Sequence, residues 1–193
     1  MPNWCNNDIT ISHKDPAKLE ALATAIREGN FFKHIIPIPE SLNIVAGRVG
    51  DDEDEKQKQL VLQEQANLEK YGVANWYDFC VSKWGTKWDT DPYDPDAVVV
   101  EDGSISFGFD TAWAPPVGIY EEMENQGYSI RAYYYEPGMA FVGKWEDGCD
   151  DYYEYGGETS STVREVIGEE LDDMYGISES MAEWEEENEE DES

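Results

Sequence analysis

Positive charge is what this sequence has least of. Only 13 lysine and arginine residues stand against 44 aspartate and glutamate residues, which gives a formal net charge of −31 at pH 7. So large an excess of negative charge repels nucleic acid and anionic membranes, and it attracts basic surfaces over long distances. The sequence therefore predicts no direct binding to nucleic acid or membranes, and it predicts a cationic partner.

The sequence also shows no signal for disulfides, for a membrane span or for a signal peptide. The three cysteines, Cys5, Cys80 and Cys149, are odd in number and far apart, which predicts free thiols in a reducing compartment. No apolar run approaches the roughly 20 residues that span a bilayer. The first residues have neither the basic nor the apolar part of a signal peptide. We therefore expect an intracellular protein.

The negative charge increases along the chain. Residues 1–48 carry 5 acidic and 5 basic side chains, residues 49–135 carry 18 and 6, and residues 136–193 carry 21 and 2. Hydrophobic residues nevertheless make up 40% of the sequence and aromatic residues 13%. That content is enough for a buried core, so the acidic composition does not indicate a wholly disordered chain.

The N-terminal third has a clear pattern of alternating elements. Residues 7–12 alternate between polar and apolar, which predicts a strand. Asp15 and Pro16 then provide the N-cap and the first-turn proline of a helix that ends at Gly29. The short apolar run 31–36 predicts a second strand. Pro37 and Pro39 would end this strand, because proline cannot donate a backbone hydrogen bond to a sheet.

Residues 40–96 are interpreted as an insertion into this pattern. The five consecutive acidic residues 51–55 predict a mobile loop. A helix is predicted over 55–71, with Val61, Leu68 and Tyr71 on its inward side, and a second, shorter helix over 74–84. The two prolines within 89–96 predict a loop.

Strand signals dominate the following segment. Residues 98–100 and 105–109, separated by Asp102-Gly103, predict a hairpin. Pro115-Pro116 opens a helix that Gly127 ends. Three further strand signals then predict an antiparallel meander, at 128–135, 139–145 and 152–155. The order predicts an α+β fold with a ferredoxin-like βαββαβ core and an extended antiparallel sheet.

The C-terminal segment differs in character, so we predict a domain over 1–158 and an acidic C-terminal helix and tail over 159–193. Val163, Ile167 and Leu171 form an apolar ridge at helical spacing, which predicts one docked helix over 161–175. Beyond residue 178 the pattern predicts a solvated tail or a frayed helix.

Three separated segments carry a resemblance to a known family. They are Met1-Pro2-Asn3-Trp4-Cys5-Asn6-Asn7, Trp84-Gly85-Thr86-Lys87-Trp88-Asp89 and Phe109-Asp110-Thr111-Ala112-Trp113-Ala114-Pro115-Pro116. Together they resemble the YubB-like family of phage- and plasmid-borne proteins, over roughly residues 1–146. The resemblance implies a ferredoxin-like domain, a mobile-element origin and the cytoplasm of a bacterial host. It implies no activity, and it does not extend to the acidic region after Gly148.

Catalytic and metal chemistry are not predicted. His13, His34 and the cysteines lack the spacing of a zinc site or of a nucleophile and its base. Residues 89–100 resemble a calcium loop only in their aspartates, because Asp94 and Val100 occupy the positions that need glycine and glutamate. We expect no metal and no cofactor.

Two candidate surfaces come from the aromatic residues. A small-ligand or enzymatic pocket is one hypothesis, formed by Trp84, Lys87, Trp88, Asp89 and Trp113. Structural packing of the tryptophans is the simpler alternative. A protein-interaction adaptor is another hypothesis, with a contact surface made of Tyr133, Tyr134, Tyr135, Tyr152, Tyr153 and Tyr155. Cross-strand pairing within the sheet is its simpler alternative.

The favoured hypothesis is an acidic, non-catalytic decoy that mimics nucleic-acid charge. Its partner is expected to be a basic host protein that binds nucleic acid or acts in defence. A solubilising tail and an adaptation to high salt remain alternatives. Mutual repulsion among the carboxylates of residues 161–192 is expected to raise several of their pKa values. The carboxylates predicted to meet the partner are Glu146, Asp147, Asp150, Asp151, Glu154, Glu165, Glu169, Glu170, Asp172, Asp173, Glu183, Glu186, Glu187 and Glu190.

Overall fold

The fold is built on a five-stranded sheet with two different faces, and burial alternates along the first three of its strands in chain order. The computed structural model describes residues 3–191, with side chains as far as residue 188. The strands are β1 (Trp4–Ser12), β2 (Ser104–Ala112), β3 (Ser129–Glu136), β4 (Phe141–Glu146) and β5 (Cys149–Glu154). Their spatial order is β2-β1-β3-β4-β5, and every neighbouring pair is antiparallel.

Eight α-helices accompany this sheet within the described residues. They are α1 (Pro16–Arg27), α2 (Phe31–Ile35), α3 (Glu55–Tyr71), α4 (Trp76–Lys83), α5 (Val117–Asn125), α6 (Val163–Ile167), α7 (Glu169–Tyr175) and α8 (Ile177–Asp191). The predicted α+β class with an extended antiparallel sheet is confirmed, and the arrangement is consistent with a ferredoxin-like type of fold. The meander β3-β4-β5 is also confirmed.

The main core lies on one face of the sheet, under α1, α2, α4 and α5. Strand residues Ile9 and Ile11 belong to the same buried cluster as Leu22 and Ile26 of α1. Tyr120 of α5 is buried in this cluster too. The α1 prediction is confirmed, since the Asp15 carboxylate accepts a hydrogen bond from the N–H of Ala17. The helix that follows Pro115-Pro116 is confirmed as well.

The predicted strand at 31–36 is wrong, because this run forms helix α2. Its own N-cap, Asn30, makes no side-chain capping bond. The carboxylate of Asp89 replaces it, with Oδ1 accepting from the N–H of Phe32 at 2.8 Å and Oδ2 from the N–H of Lys33 at 3.1 Å. Phe31, Phe32 and Ile35 then point into the core. A short apolar run suits a buried strand or a buried helix equally well, so the distant cap decided the outcome.

The predicted hairpin strand at 98–100 is also wrong. Only one isolated bridge, between Glu101 and Ser104, joins this segment to β2. Val98 is buried in the main core instead, and its carbonyl oxygen accepts a hydrogen bond from Arg27 at 2.6 Å. Strand β2 finds its ladder partner in β1, over nine residue pairs. Val98 therefore serves core packing and not strand pairing, whereas Val99 is exposed.

Helix α3 has the predicted bounds but a different inward face. Asp54 caps its start and Gly72, at φ 76°, ends it. Val61 and Leu68, predicted to face inward, are exposed. The buried face carries Leu60 and Asn67, and the Asn67 side-chain amide donates to the carbonyl oxygens of Ser41 and Ala74. Polar bonds to Ser41 and Ala74, together with burial of Leu60, thus hold this face of the helix inward.

The second face of the sheet is partly covered by the C-terminal helices. Val163, Ile167 and Leu171 are buried against Val142 of β4, as the apolar ridge predicted. The single helix predicted over 161–175 is wrong, because Gly168, at φ 84°, separates α6 from α7. From Ile177 the chain is helical again, so the segment beyond 178 is helix α8. The predicted domain boundary at residue 158 stays a prediction.

We expect the Asp89→Ala variant to be less stable than the wild type by about 2 kcal/mol, because the first N–H groups of α2 lose their acceptors in a partly buried place. Urea unfolding followed by tryptophan fluorescence measures this. The matched control is Asp96→Ala, which removes an exposed carboxylate from the same loop and is expected to change stability by less than about 0.5 kcal/mol. Equal unfolding midpoints for the two variants would contradict the capping role.

Candidate functional site

The three segments that carry the family resemblance meet at one end of the sheet. Trp4 begins β1, Lys87 and Trp88 follow α4, and Trp113 comes directly after β2. The ring centroids of Trp4 and Trp88 are 6.3 Å apart, and the N–H of Trp113 donates to the carbonyl oxygen of Asn3 at 2.9 Å. Met1 and Pro2 of the first segment lie outside the described residues. The antiparallel pairing of β1 with β2 is what brings the first and third segments together.

Lys87 lies among three aromatic rings at this end. Its Nζ atom is 4.2 Å from the ring centroid of Trp88, 5.6 Å from that of Tyr77 and 5.7 Å from that of Trp113. These distances lie within the roughly 6 Å range of a cation–π interaction. With Trp4 they form a surface that we call the aromatic cluster: Trp4, Tyr77, Lys87, Trp88 and Trp113.

The aromatic cluster is unusual in exposure and in backbone conformation. Trp4 is 47% exposed, and Trp88 and Trp113 are each 40% exposed, whereas tryptophan is mostly buried in domains of this size. Trp113 also has φ of 72°, in the left-handed region that bulky residues rarely occupy. Strain of this kind is common at binding sites, where the surrounding structure holds a side chain in a required position.

The predicted five-residue pocket is not gathered in one place. Trp84 is buried in the main core, with Nε1 donating to the carbonyl oxygen of Ile36 at 3.0 Å. Asp89 caps α2, and burial raises the pKa of its carboxyl. Both residues therefore support the fold, and only Lys87, Trp88 and Trp113 reach the surface together. Sequence reasoning missed Trp4 and Tyr77, although Trp4 belongs to one of the three segments that carry the resemblance.

The carboxylates predicted to bind a partner fall into different groups. Arg164 binds three of them, with distances of 3.0 Å to Glu169, 3.1 Å to Asp172 and 2.8 Å to Asp173. The Asp172 side chain is only 2% exposed. It also accepts hydrogen bonds from the N–H and Oγ of Ser178, in the first turn of α8. Asp172 is therefore a structural residue that joins α6, α7 and α8.

Lys144 binds a second group. Its Nζ atom is 2.9 Å from Glu146 and 3.2 Å from Glu170. Arg131 also pairs with Glu146, and the hydroxyl of Tyr133 donates to Glu170. These partners lower the pKa of both carboxyls below the ordinary value of 4.5, Glu146 chiefly through Lys144 and Glu170 chiefly through Tyr133. For Glu170 the direction is opposite to the rise in pKa expected within residues 161–192.

The lowered pKa values fix how this pairing depends on pH. A carboxyl with a lower pKa in the folded state stabilises the fold above its ordinary pKa, and that contribution is lost as the pH falls through the lowered value. The Lys144 contacts thus support the docking of α7 on β4 at neutral pH and weaken in acid.

Strand β5 contributes a third group. The carboxylate of Asp150 accepts a hydrogen bond from the hydroxyl of Tyr134, while Asp151 and Glu154 are exposed. Asp147 is exposed in the turn between β4 and β5. Since β5 is an edge strand, charged side chains there also prevent another strand from adding to the sheet. That role accounts for the carboxylates on β5 without any binding partner, but it does not extend to Asp147 in the turn.

The remaining carboxylates are fixed on a helix and exposed. Glu183, Glu186 and Glu187 project from α8, and Glu179, which sequence reasoning missed, lies one turn before them on the same helix. We call these four residues the acidic ridge. Glu165 is exposed on α6. The side chain of Glu190 lies outside the described residues.

The predicted tyrosine surface is wrong, because most of its residues are covered. Tyr134 and Tyr155 are buried. Tyr133, Tyr135 and Tyr153 pack against the cluster beneath the C-terminal helices. Of the six tyrosines only Tyr152 is largely exposed. The simpler alternative, cross-strand pairing, places Tyr135 and Tyr153 on either side of Val142, and the C-terminal helices cover this face of the sheet.

Comparison with known proteins does not assign a function to this chain. No protein-family model matches the chain, and no curated protein matches it. The crystal structure of a protein api92 from Yersinia pseudotuberculosis, described by family model DUF1281, is similar over 81% of this chain and 99% of that chain. The sequence identity is 13% and the TM-score 0.40. The YubB-like resemblance stays a prediction.

Two further properties concern the described part of the chain alone. None of its helices is long and apolar enough to cross a membrane. Its side chains also form no group of three or more histidine, cysteine, aspartate or glutamate residues placed to hold a metal ion.

We expect the Arg164→Met variant to melt about 3 °C or more below the wild type, because Asp172 remains buried without its cation. Differential scanning calorimetry measures this. Arg48→Met is the control, since Arg48 pairs with Asp52 on the surface, where both side chains are exposed. Its melting temperature should stay within about 1 °C of the wild type. A similar loss in both variants would show that Arg164 does not hold the C-terminal helices.

Proposed function

We propose that this protein is a non-catalytic binding protein that presents the acidic ridge of α8 to the cationic groove of a host nucleic-acid-binding protein and blocks that groove. The observation that carries the proposal is that the ridge belongs to a docked helix. A solubilising tail needs no fixed geometry, whereas a charge mimic needs carboxylates held in position.

The start of α8 is fastened to the fold by apolar and polar contacts. Ile177 is 1% exposed, and Met181 packs against the same apolar cluster. The carboxylate of Glu185 accepts hydrogen bonds from the N–H of Ser160 at 2.9 Å and from its Oγ atom at 2.7 Å. These bonds lower the pKa of the Glu185 carboxyl. Glu185 therefore serves as an anchor, while its neighbours Glu186 and Glu187 stay exposed.

The spacing of the acidic ridge suits a row of cationic side chains. Glu179, Glu183 and Glu187 follow one another at four-residue intervals, which places neighbouring side chains about 5–6 Å apart on one side of a helix. A row that is already ordered loses less conformational entropy on binding than a flexible tail does. Proteins that bind nucleic acid meet its phosphates with rows of arginine and lysine.

The net charge and the resemblance support the choice of partner. A charge of −31 attracts cationic surfaces from a distance and raises the rate of encounter. The resemblance to phage- and plasmid-borne proteins favours a host defence protein, such as a restriction, nuclease or CRISPR-type factor. The proposal assigns no catalytic residue.

Immobilised full-length protein tests this proposal in a bacterial extract. We expect it to retain nucleic-acid-binding proteins at 50 mM salt, and we expect added duplex DNA or 300 mM salt to release them. Binding that depends on several released counterions falls by roughly tenfold or more over that range of salt. Retained proteins that resist both DNA and salt would contradict the proposal.

A charge-matched pair of variants separates the acidic ridge from net charge alone. One variant replaces Glu179, Glu183, Glu186 and Glu187 by glutamine. The control replaces four exposed glutamates elsewhere by glutamine: Glu20, Glu28, Glu53 and Glu69. Both variants have the same net charge, so we expect only the first to lose the retained proteins. Equal loss in the two would show that the ridge has no special role.

A further inference from the structure

We propose that the aromatic cluster is a binding site for a cationic side chain, and that Lys87 fills this site in the free protein. The incoming group would be the guanidinium of an arginine of the cationic partner. The partner's identity rests on the proposed function, whereas the cation-binding chemistry of the cluster does not.

The position of Lys87 shows where a cation is stabilised. Rings from three separate parts of the chain, Tyr77 of α4, Trp88 after it and Trp113 after β2, surround its ammonium group. Cages of aromatic rings bind ammonium and guanidinium groups because the face of each ring carries partial negative charge. Lys87 has no carboxylate within 4.0 Å among the described residues. The rings are therefore its main partners.

An open depression beside Lys87 gives an incoming cation access to the rings that Lys87 occupies in the free protein. Its volume is about 510 Å³, and its lining residues include Trp76, Tyr77, Trp113 and Asp78. Asp78 accepts a hydrogen bond from the side-chain amide of Asn75 at 3.2 Å. No lysine or arginine of the described chain lies within 4.0 Å of it. A guanidinium that stacks on a ring there has a carboxylate available.

Arginine suits this site better than lysine or an anion does. A planar guanidinium can stack on an indole ring and donate to a carboxylate at the same time. Anionic ligands would meet one lysine against a net charge of −31, so long-range electrostatics favours a cation. Lys87 then competes with the incoming group for the same ring faces, and its removal should open the site.

The variant Lys87→Met tests this on the isolated full-length protein. Nα-acetyl-arginine amide is the probe, and Nα-acetyl-citrulline amide is its uncharged control. The indole N–H signals of Trp88 and Trp113 in NMR spectra report binding. We expect Lys87→Met to bind the arginine probe about fivefold more tightly than the wild type does, which is the size of effect that one cation–π contact gives. The citrulline probe should bind more weakly than the arginine probe to this variant.

Lys83→Met is the matched control, since it removes an exposed lysine four residues away and changes the net charge equally. Its affinity for the arginine probe should remain that of the wild type. Trp88→Leu combined with Lys87→Met should lose the gain. Equal affinities for arginine and citrulline probes, or equal gains in Lys83→Met and Lys87→Met, would overturn the inference. None of these outcomes involves the acidic ridge, so the proposed function can fail or succeed independently.

Discussion

Repulsion among carboxylates is the constraint on which the rest of this structure depends, and two cations do most to relieve it in the C-terminal third. Lys144 and Arg164 are the two basic residues among positions 136–193, which carry 21 acidic ones. Together they bind Glu146, Glu170, Glu169, Asp172 and Asp173. These pairs supplement the apolar contacts of Val163, Ile167 and Leu171. The segment with the most negative charge can therefore pack as helices on the sheet.

The carboxylates therefore fall into two groups: those that support the fold through ion pairs, and those that remain exposed at the surface. Those next to Lys144 and Arg164 hold α7 and α8 in place, and those on β5 protect an edge strand. The acidic ridge is left at the surface on a helix that the other groups position. Lys87, in contrast to Lys144 and Arg164, lies among aromatic rings and not among carboxylates. Under the two proposals, the row of carboxylates serves long-range attraction of a cationic partner, and the rings serve close contact.

The sequence predicted the elements whose signals are local. The Asp15 cap of α1, the turns of the meander and the apolar ridge of α6 and α7 each lie within a few residues of what they control. The strand predicted at 31–36 failed because its deciding contact, with Asp89, comes from 57 residues away. The same limit applies to the site. The three segments that carry the resemblance contain the tryptophans of the aromatic cluster. Their meeting depends on the pairing of β1 with β2, which brings Trp4 and Trp113 together. Tyr77 joins them from α4. Which carboxylates meet Arg164 depends on the break at Gly168, which no periodicity reveals.

The claim that the acidic ridge is held on the fold can be tested on the isolated protein by amide hydrogen exchange. The measurement follows the amides of 177–185 at pH 7, in 20 mM and in 500 mM NaCl. We expect exchange slower than in an unstructured peptide of the same sequence, by about tenfold or more at both salt concentrations, because Ile177 and Glu185 fasten the helix. Exchange at the rate of the unstructured peptide in both would contradict the claim and return the C-terminal segment to the role of a solubilising tail.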